Sequence, residues 1–340
     1  MKINLKIFIF FFAWFTLTAS FSFAKIDKPK IDSTATVYNF TVQKNHTYYV
    51  GKGNFLVHND CKAIAKVLEK LSESNQAKFL QDFKDNQSLL NKFANGQIDI
   101  EAWSILKTSY DNADALHKNS EALIALTKIR KNSKFTQLGL TDEILGKIRG
   151  YGSGTSVASY AEVINDLDKF GTKIATKNIT VQDLNKIFSE MYESDAKKDG
   201  ANWIIKYMGN HADDFSNKTI KFEEYVSSEL GGRFVDLSDI SNQNKTIFFE
   251  FKSVATVPPT HFDIQFLKDL TNANSLDQIK WIFNGAKNPP NFRVNLLNAI
   301  DNLNLTDDLA RKLLNNPNAT KALLRNELKT NFDAFFKLIN

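Results

Sequence analysis

The stretch KTIFFEFKSV, residues 245–254, is the strongest strand signal in the chain, because most of its residues are β-branched or aromatic. Side chains alternate across a strand, so Glu250 and Lys252 lie on one face, and Phe249 and Phe251 lie on the other. A glutamate and a lysine on one face of an otherwise apolar strand are unfavourable to bury without partners. We therefore expect that face to hold a metal ion, a salt bridge, or both.

A second carboxylate precedes this strand. Asp236 lies near the end of a short strand-like run, residues 233–237, and residues 238–244 are predicted to form the connecting turn. Antiparallel pairing would bring Asp236 near Glu250. Two carboxylates and a backbone carbonyl form a hard-oxygen site suited to Mg²⁺ or Mn²⁺, which lowers the pKa of a bound water and neutralises charge on a phosphate. Lys252 would orient that water and stabilise the transition state, so the pattern predicts phosphodiester hydrolysis.

The surroundings of this strand are predicted to mix strands and helices. Residues 219–222 read as a strand, and the proline pair at residues 258–259 ends the strand that carries Glu250. A helix is expected at residues 261–270, and a second helix is expected around residues 276–283.

Asp236 followed by Glu250-Phe251-Lys252 resembles the D…(D/E)xK signature of the restriction-endonuclease-like, or PD-(D/E)xK, nucleases. The resemblance covers about residues 200–285. It implies a restriction-endonuclease-like mixed α/β core and a metal-dependent endonuclease activity, with Asp236, Glu250 and Lys252 as catalytic residues.

The same resemblance implies two further site residues. Families of this fold usually add an acidic residue on an earlier element, for which Glu223 and Glu224 are candidates, with Glu224 preferred. Some also have a glutamine on the helix after the lysine strand, and Gln265 matches that place. The sequence departs from the pattern in having Val235, not a proline, before Asp236.

The N-terminus is predicted to be a secretory signal peptide, residues 1–24. Lys2 and Lys6 precede an almost wholly apolar run at residues 7–17, and Ser-Phe-Ala at residues 22–24 offers small residues at a cleavage site. The run is shorter than the roughly 20 residues of a membrane span, although an uncleaved anchor is the alternative. No later stretch is long and apolar enough to span a bilayer, so we expect an exported protein whose mature chain has no membrane span.

After a polar linker at residues 25–36, the segment at residues 37–60 reads as short strands separated by turns. It resembles the C-terminal end of a Hint domain, the self-processing module shared by inteins and hedgehog-type proteins. In bacterial polymorphic toxins such a segment commonly stands just before the toxic domain. The resemblance therefore implies a toxin, and with it a cognate immunity protein.

The Hint-like segment ends in His58-Asn59, which can support chain cleavage. An asparagine amide can attack its own carbonyl and cut the chain, and a preceding histidine can assist by giving a proton to the leaving amine. Only about 12 residues separate the signal peptide from the segment, so the initiating nucleophile of a Hint domain is missing, and Asp60 follows where splicing inteins place Cys, Ser or Thr. We expect a vestigial linker without splicing, while residual cleavage after Asn59 stays open.

The overall composition favours a helix-rich globular protein. Glycine and proline are scarce, at 14 and 6 of 340 residues, which favours long regular elements. The prediction is an α+β chain with a small N-terminal β-hairpin segment, a mostly α-helical region at residues 61–199, the nuclease-like domain at residues 200–290 and a helical tail at residues 291–340. Cys61 is the single cysteine, so an intrachain disulfide is excluded.

The charge distribution limits the kind of nucleic-acid binding to expect. The net charge is +5, but residues 211–290 carry 8 basic and 11 acidic groups, a net charge of −3. The chain therefore lacks the global basic footprint of a simple nucleic-acid binder. A metal-dependent nuclease remains compatible with this charge, because a bound cation reverses the local field.

Two hypotheses follow from the sequence. The first is a secreted toxin-like nuclease that hydrolyses DNA or RNA. The alternative is a non-enzymatic secreted interaction protein, in which the nuclease-like fold is inert and the Glu250–Lys252 pair is a surface salt bridge without function.

Overall fold

The computed structural model describes residues 47–50, 55–58, 61–109, 116–148, 150, 157–227, 229–242 and 244–340. The predicted signal peptide, the linker and the strand-like residues 37–42 lie outside this part of the chain, and so does Asn59. The predictions of export and of cleavage after Asn59 therefore stay predictions.

The chain divides into two compact units. The first comprises residues 1–104 and 117–124, and the second comprises residues 105–116 and 125–340. In the first unit, strands β1 (Thr47–Val50) and β2 (Phe55–His58) pair antiparallel. They are followed by the helices α1 (Cys61–Leu68), α2 (Glu73–Phe83), α3 (Gln87–Ala94) and α4 (Ile100–Ser109), the last of which continues into the second unit.

The core of the first unit is aromatic. Phe79 contacts Phe83, Phe93 and Trp103 edge to face, with ring centroids 4.8 to 5.2 Å apart, and all four side chains are buried. Edge-to-face contacts set the positive ring edge against the negative ring face, so this cluster fixes how the short helices pack.

The second unit begins with helices and continues as a sheet covered by further helices. The helices before and within the sheet region are α5 (Ser120–Lys131), which starts in the first unit, α6 (Ser133–Gln137), α7 (Asp142–Lys147), α8 (Val157–Thr176), α9 (Leu184–Glu190), α10 (Asp195–Asn210) and α11 (Phe262–Asn272). The C-terminal helices are α12 (Phe292–Asp301), α13 (Asp307–Leu314), α14 (Lys321–Thr330) and α15 (Phe332–Phe335). Within the described part of the chain, no helix has the length and apolarity needed to cross a membrane.

A six-stranded mixed sheet organises this unit, and it confirms the predicted α+β class. The strands follow one another across the sheet in chain order and are β3 (Thr180–Gln182), β4 (Thr219–Val226), β5 (Arg233–Asp239), β6 (Ile247–Lys252), β7 (Ile279–Asn284) and β8 (Phe336–Ile339). The β4–β5 and β5–β6 pairs are antiparallel, whereas the β3–β4, β6–β7 and β7–β8 pairs are parallel.

Each face of the sheet has its own layer of helices. On one face, Tyr207 of α10 packs against Phe251 of β6, with ring centroids 5.0 Å apart. On the other face, Phe262 and Phe266 of α11 pack against Trp281 of β7, with centroids 5.2 and 5.7 Å away. Glu250 is paired with Trp281 across the β6–β7 ladder, so alternation places Glu250 on the α11 face.

The prediction of a helix around residues 276–283 was wrong. A short 3₁₀ turn at Leu276–Gln278 leads into strand β7. Five of the six β7 residues are buried, because helices cover both faces of the sheet at this point. A strand buried on both sides reads as a continuous apolar run, so it lacks the alternation by which a strand is detected.

Two further strands lie in regions predicted to be helical. Strand β3 interrupts the helical region at residues 61–199, and β8 ends the helical tail at residues 291–340. Both are short edge strands that pair parallel to a neighbour distant in sequence. Their conformation is set by that neighbour, which local periodicity does not reveal.

Candidate active site

Strands β5 and β6 separate near the candidate catalytic residues. Their ladder runs from Asp239 opposite Ile247 to Leu237 opposite Phe249, whereas β5 stays paired with β4 as far as Arg233. Beyond the ladder the Asp236 side chain bridges the strands, because its Oδ2 accepts a hydrogen bond of 2.6 Å from the backbone N–H of Phe251. A cavity of about 500 Å³ lies here, lined by residues of β5, β6 and α11.

The structure brings four predicted site residues to this cavity: Asp236, Glu250, Lys252 and Gln265 all line it. Lys252 Nζ donates to Glu250 Oε1 at 2.5 Å and to Gln265 Oε1 at 3.0 Å. Nζ also lies 5.1 Å from the ring centroid of Trp281, in a cation–π position. The Lys252 ammonium group is therefore held in position by residues of three elements, β6, α11 and β7.

Arg233 is a site residue that the sequence analysis did not include. Its Nη2 donates to Glu250 Oε2, and its Nη1 lies 3.0 Å from Asp269 Oδ1. Asp269 Oδ2 in turn accepts from Trp281 Nε1 at 2.9 Å. Both oxygens of the buried Glu250 thus contact a cation: Arg233 on one side and Lys252 on the other.

Different signals were available for these additional residues. Asp269 follows Gln265 by four residues on α11, and helical spacing places such residues on the same face. Arg233 precedes Asp236 by three residues, so strand alternation would place it on the opposite face. Its long side chain reaches the site because β5 and β6 have separated beside it, which the sequence does not indicate.

Two buried carboxyl groups of the site, Asp236 and Asp269, have raised pKa values. Desolvation raises the pKa of Asp236 well above its usual range, and the Glu250 carboxylate adds to the rise, while Lys252 acts against it. Burial raises the pKa of Asp269 to about 7, although Arg233 opposes the rise. Burial works to lower the pKa of Lys252, but Glu250 and Asp236 outweigh it, so the pKa is raised and the lysine is protonated.

Glu223 rather than Glu224 lies with these carboxylates. Burial raises the pKa of Glu223 to about 7, and repulsion from Glu190 and Glu250 contributes. Glu224, the residue preferred from sequence, instead pairs with Val235 across the strands, and its Oε1 lies 3.4 Å from Lys221 Nζ. Glu223 has a positive φ of 46°, an uncommon conformation for a residue other than glycine, so the backbone of β4 is distorted where this side chain meets the site.

The donor set fits a hard divalent cation in its chemistry. Carboxylate oxygens are the ligands that Mg²⁺ prefers, and burial together with repulsion from the neighbouring carboxylates raises the pKa values of Asp236 and Glu223. No cluster of three or more His, Cys, Asp and Glu side chains placed to hold a metal ion occurs among the described residues. A cation bound by Asp236 and Glu250 would share the Glu250 oxygens with Arg233 and Lys252 or displace one of them.

The other predicted site is the end of the Hint-like segment. His58 is the last residue of β2, and its side chain is not described, while Asn59 lies outside the described residues. Cleavage after Asn59 is therefore still a prediction.

No protein-family model matches the chain, no curated protein is significantly similar to it, and no solved structure matches it. The chemistry of the cavity is therefore the basis on which a function can be inferred.

Proposed function

We propose that the protein is a metal-dependent nuclease that hydrolyses phosphodiester bonds in DNA or RNA. One observation carries the proposal: Asp236, Glu250, Lys252 and Gln265, selected from the sequence as catalytic residues, line one cavity although they come from three elements. The pKa of the Asp236 carboxyl group in that cavity is raised well above its usual range, and strongly perturbed groups in a cleft are typical of functional sites.

Asp236 and Glu250 would hold Mg²⁺ or Mn²⁺, and the ion would supply a water of lowered pKa and neutralise charge on the phosphate. Lys252 is protonated and fixed by Glu250 and Gln265, so its Nζ can donate to the attacking water or to a phosphate oxygen. Gln265 is a positioning residue, since it acts through Lys252. Arg233 holds the Glu250 carboxyl group in position in the same way.

A cleavage assay tests the proposal directly. The purified chain is incubated with DNA and with RNA, in Mg²⁺ and in EDTA. We expect cleavage in Mg²⁺ only, and a loss of at least about 100-fold in Glu250→Gln and in Lys252→Met, since single electrostatic contributors of this kind are worth that much. Asp301→Asn is the matched control, because Asp301 also forms a carboxylate–lysine pair, with Lys329 at 2.9 Å, on the surface of α12.

Glutamine is used at position 250 because it keeps the size of the side chain, and its amide oxygen can still accept a hydrogen bond from Arg233 or from Lys252. Thermal melts of each variant separate loss of folding from loss of chemistry. If folded Glu250→Gln and Lys252→Met cut nucleic acid as well as the wild type, the assigned site is wrong.

The second candidate is a non-enzymatic secreted interaction protein with an inert nuclease-like fold. It is favoured by one feature of the cavity, which is that both Glu250 oxygens are already engaged by Arg233 and Lys252. Wild-type protein that cuts neither DNA nor RNA, in Mg²⁺ or in Mn²⁺, would support this candidate over the nuclease.

We also propose that the nuclease is an exported toxin, neutralised in its producer by a cognate immunity protein. Support comes from the predicted signal peptide at residues 1–24 and the Hint-like segment at residues 37–60. Fusion of residues 1–24 to a reporter enzyme that is active only outside the cytoplasm tests export. Induced intracellular synthesis of the mature chain should arrest growth, and Glu250→Gln should remove that effect.

A further inference from the structure

The mouth of the cavity carries exposed aromatic side chains. Tyr225 is 60% exposed and Phe234 is 56% exposed, and both are large apolar groups that a folded protein usually covers. The two residues are direct partners across the β4–β5 ladder, and their rings meet edge to face with centroids 5.3 Å apart. We call this pair the aromatic platform.

The aromatic platform is continuous with the candidate active site. Phe234 lines the cavity together with Asp236, which lies two residues further along the same strand. Residues two apart point to the same side of a strand and are separated by about 7 Å. A group lying on Phe234 would therefore be next to Asp236, whose Cα is about 7 Å from that of Phe234.

The backbone beside the aromatic platform leaves space for the Tyr225 ring. A Cβ at Gly232 would overlap the Tyr225 ring, so the ring lies against a backbone that has no side chain there. Gly232 O also accepts a hydrogen bond of 3.4 Å from Lys268 Nζ, and Lys268 lines the cavity. Aromatic rings, a lysine and the cavity carboxylates thus meet at one place on the surface.

Flat apolar rings next to cations match the chemistry of an unpaired nucleotide. Every base has a π-face that can stack on an aromatic side chain, and its phosphate can pair with a lysine or an arginine. A base inside a duplex is already stacked on its neighbours and does not offer that face. Residues 211–290 also have a net negative charge, which disfavours a wide contact with the backbone of a duplex, because such a contact needs many basic residues.

From this arrangement we propose that the substrate is a nucleic acid with unpaired bases, and that Tyr225 and Phe234 stack a base next to the bond that is cut. The proposal rests on the proposed nuclease function. Because more than half of each side chain is exposed, both residues can be changed with little effect on folding.

Binding measurements test the platform separately from cleavage. Fluorescence anisotropy of the mature chain with labelled oligothymidylate and oligouridylate strands, and with their duplexes, is recorded in EDTA and again in Ca²⁺. We expect strands to bind at least about tenfold more tightly than duplexes, and Phe234→Ala and Tyr225→Ala each to weaken strand binding by about tenfold, as loss of one stacked base does. Comparison of the two strands shows whether the DNA strand or the RNA strand is preferred.

Two further variants sharpen this test. Gly232→Ala should weaken strand binding as Tyr225→Ala does, because the new methyl group displaces the Tyr225 ring. Val294→Ala is the matched control, since Val294 is an exposed apolar residue of α12 that does not line the cavity, and it should change nothing.

The outcomes separate the two proposals. If strands and duplexes bind equally in both conditions, or if Phe234→Ala leaves strand binding unchanged, the platform inference is overturned even if the protein cuts nucleic acid. If no strand binds, the inference is likewise overturned, and the platform is better explained as a contact for a protein. If strands bind through Phe234 but no substrate is cut in Mg²⁺, the nuclease proposal fails while the stacking role stands.

Discussion

Glu250 determines the electrostatics of the cavity, because it lies between Arg233 and Lys252 and close to Asp236. Two cations offset the charge of Glu250, yet the pKa values of Glu223 and Asp269 both rise to about 7. Near neutral pH these two carboxyl groups are therefore partly protonated. Burial is the main cause of both raised pKa values, and repulsion from Glu250 adds to it.

These raised pKa values predict a dependence of stability on pH. A carboxyl group whose pKa is higher in the folded chain than in the unfolded chain binds more protons when folded, so the free energy of unfolding falls as pH rises towards the folded pKa. We expect the free energy of unfolding in EDTA to fall by roughly 1 to 3 kcal/mol between about pH 5 and about pH 8, most of it before pH 7.

Urea denaturation at several pH values measures this fall. Glu223→Gln should reduce the slope, because glutamine does not titrate, and Glu193→Gln is a control for an exposed carboxylate of the same unit. A wild-type stability that is flat or rises over this range would contradict the pKa values assigned to Glu223 and Asp269.

At the scale of elements, the site depends on the separation of β5 from β6 and on the packing of the neighbouring strands β7 and β8. The β5–β6 ladder ends beside Asp236, which leaves room for the cavity. Strand β7 lies next to β6, and its Trp281 contacts both Lys252 and Asp269. Strand β8 lies beside β7, and its Phe336 packs against Phe266 of α11, with ring centroids 5.1 Å apart.

Strand β8 should therefore stabilise the site although it lies outside it. Phe336 is 1% exposed and Leu338 of the same strand is 39% exposed. We expect Phe336→Ala to lower the free energy of unfolding by about 3 to 5 kcal/mol, since it leaves a cavity beneath α11 and β7, and Leu338→Ala to lower it by less than about 1 kcal/mol. Urea denaturation of both variants checks this, and equal effects would show that β8 does not contribute to the core.

At the scale of the molecule, charge decides how a phosphate can approach the site. Residues 211–290, which include the cavity lining, have a net charge of −3 within a chain of net charge +5. This field repels a polyanion unless a cation is bound. A divalent ion would thus strengthen substrate binding in addition to its part in the chemical step.

Binding of that ion should stabilise the folded protein. A ligand that binds only the folded state at about 100 times its Kd adds about 2.7 kcal/mol to the free energy of unfolding. We expect the Tm to rise in Mg²⁺ relative to EDTA, and to rise more at about pH 8 than at about pH 6, because protons compete for the same carboxylates. Scanning calorimetry measures the change, and Asp236→Asn should abolish it. A Tm that Mg²⁺ does not alter at either pH would remove the metal site from the proposal.

Local sequence rules predicted part of the site and part of the sheet. Alternation placed Glu250 and Lys252 on one face, and the short connection after Asp236 required an antiparallel return. Helical spacing placed Gln265 on the helix that follows. The same rules predicted a helix where β7 lies and did not include Arg233, while Glu224 was preferred to Glu223 on the resemblance to the PD-(D/E)xK nucleases.

The sequence by itself determined the α+β class, the central strand and the convergence of Asp236, Glu250 and Lys252, because each follows from periodicity or from a short chain connection. Only the tertiary structure decided which glutamate joins them, which arginine holds Glu250, and that β7 and β8 complete the sheet. Those features depend on contacts between residues far apart in the chain, on a separation of two strands and on burial from both faces. None of these leaves a periodic pattern in the residues concerned, since the environment of a side chain is set by its neighbours in space.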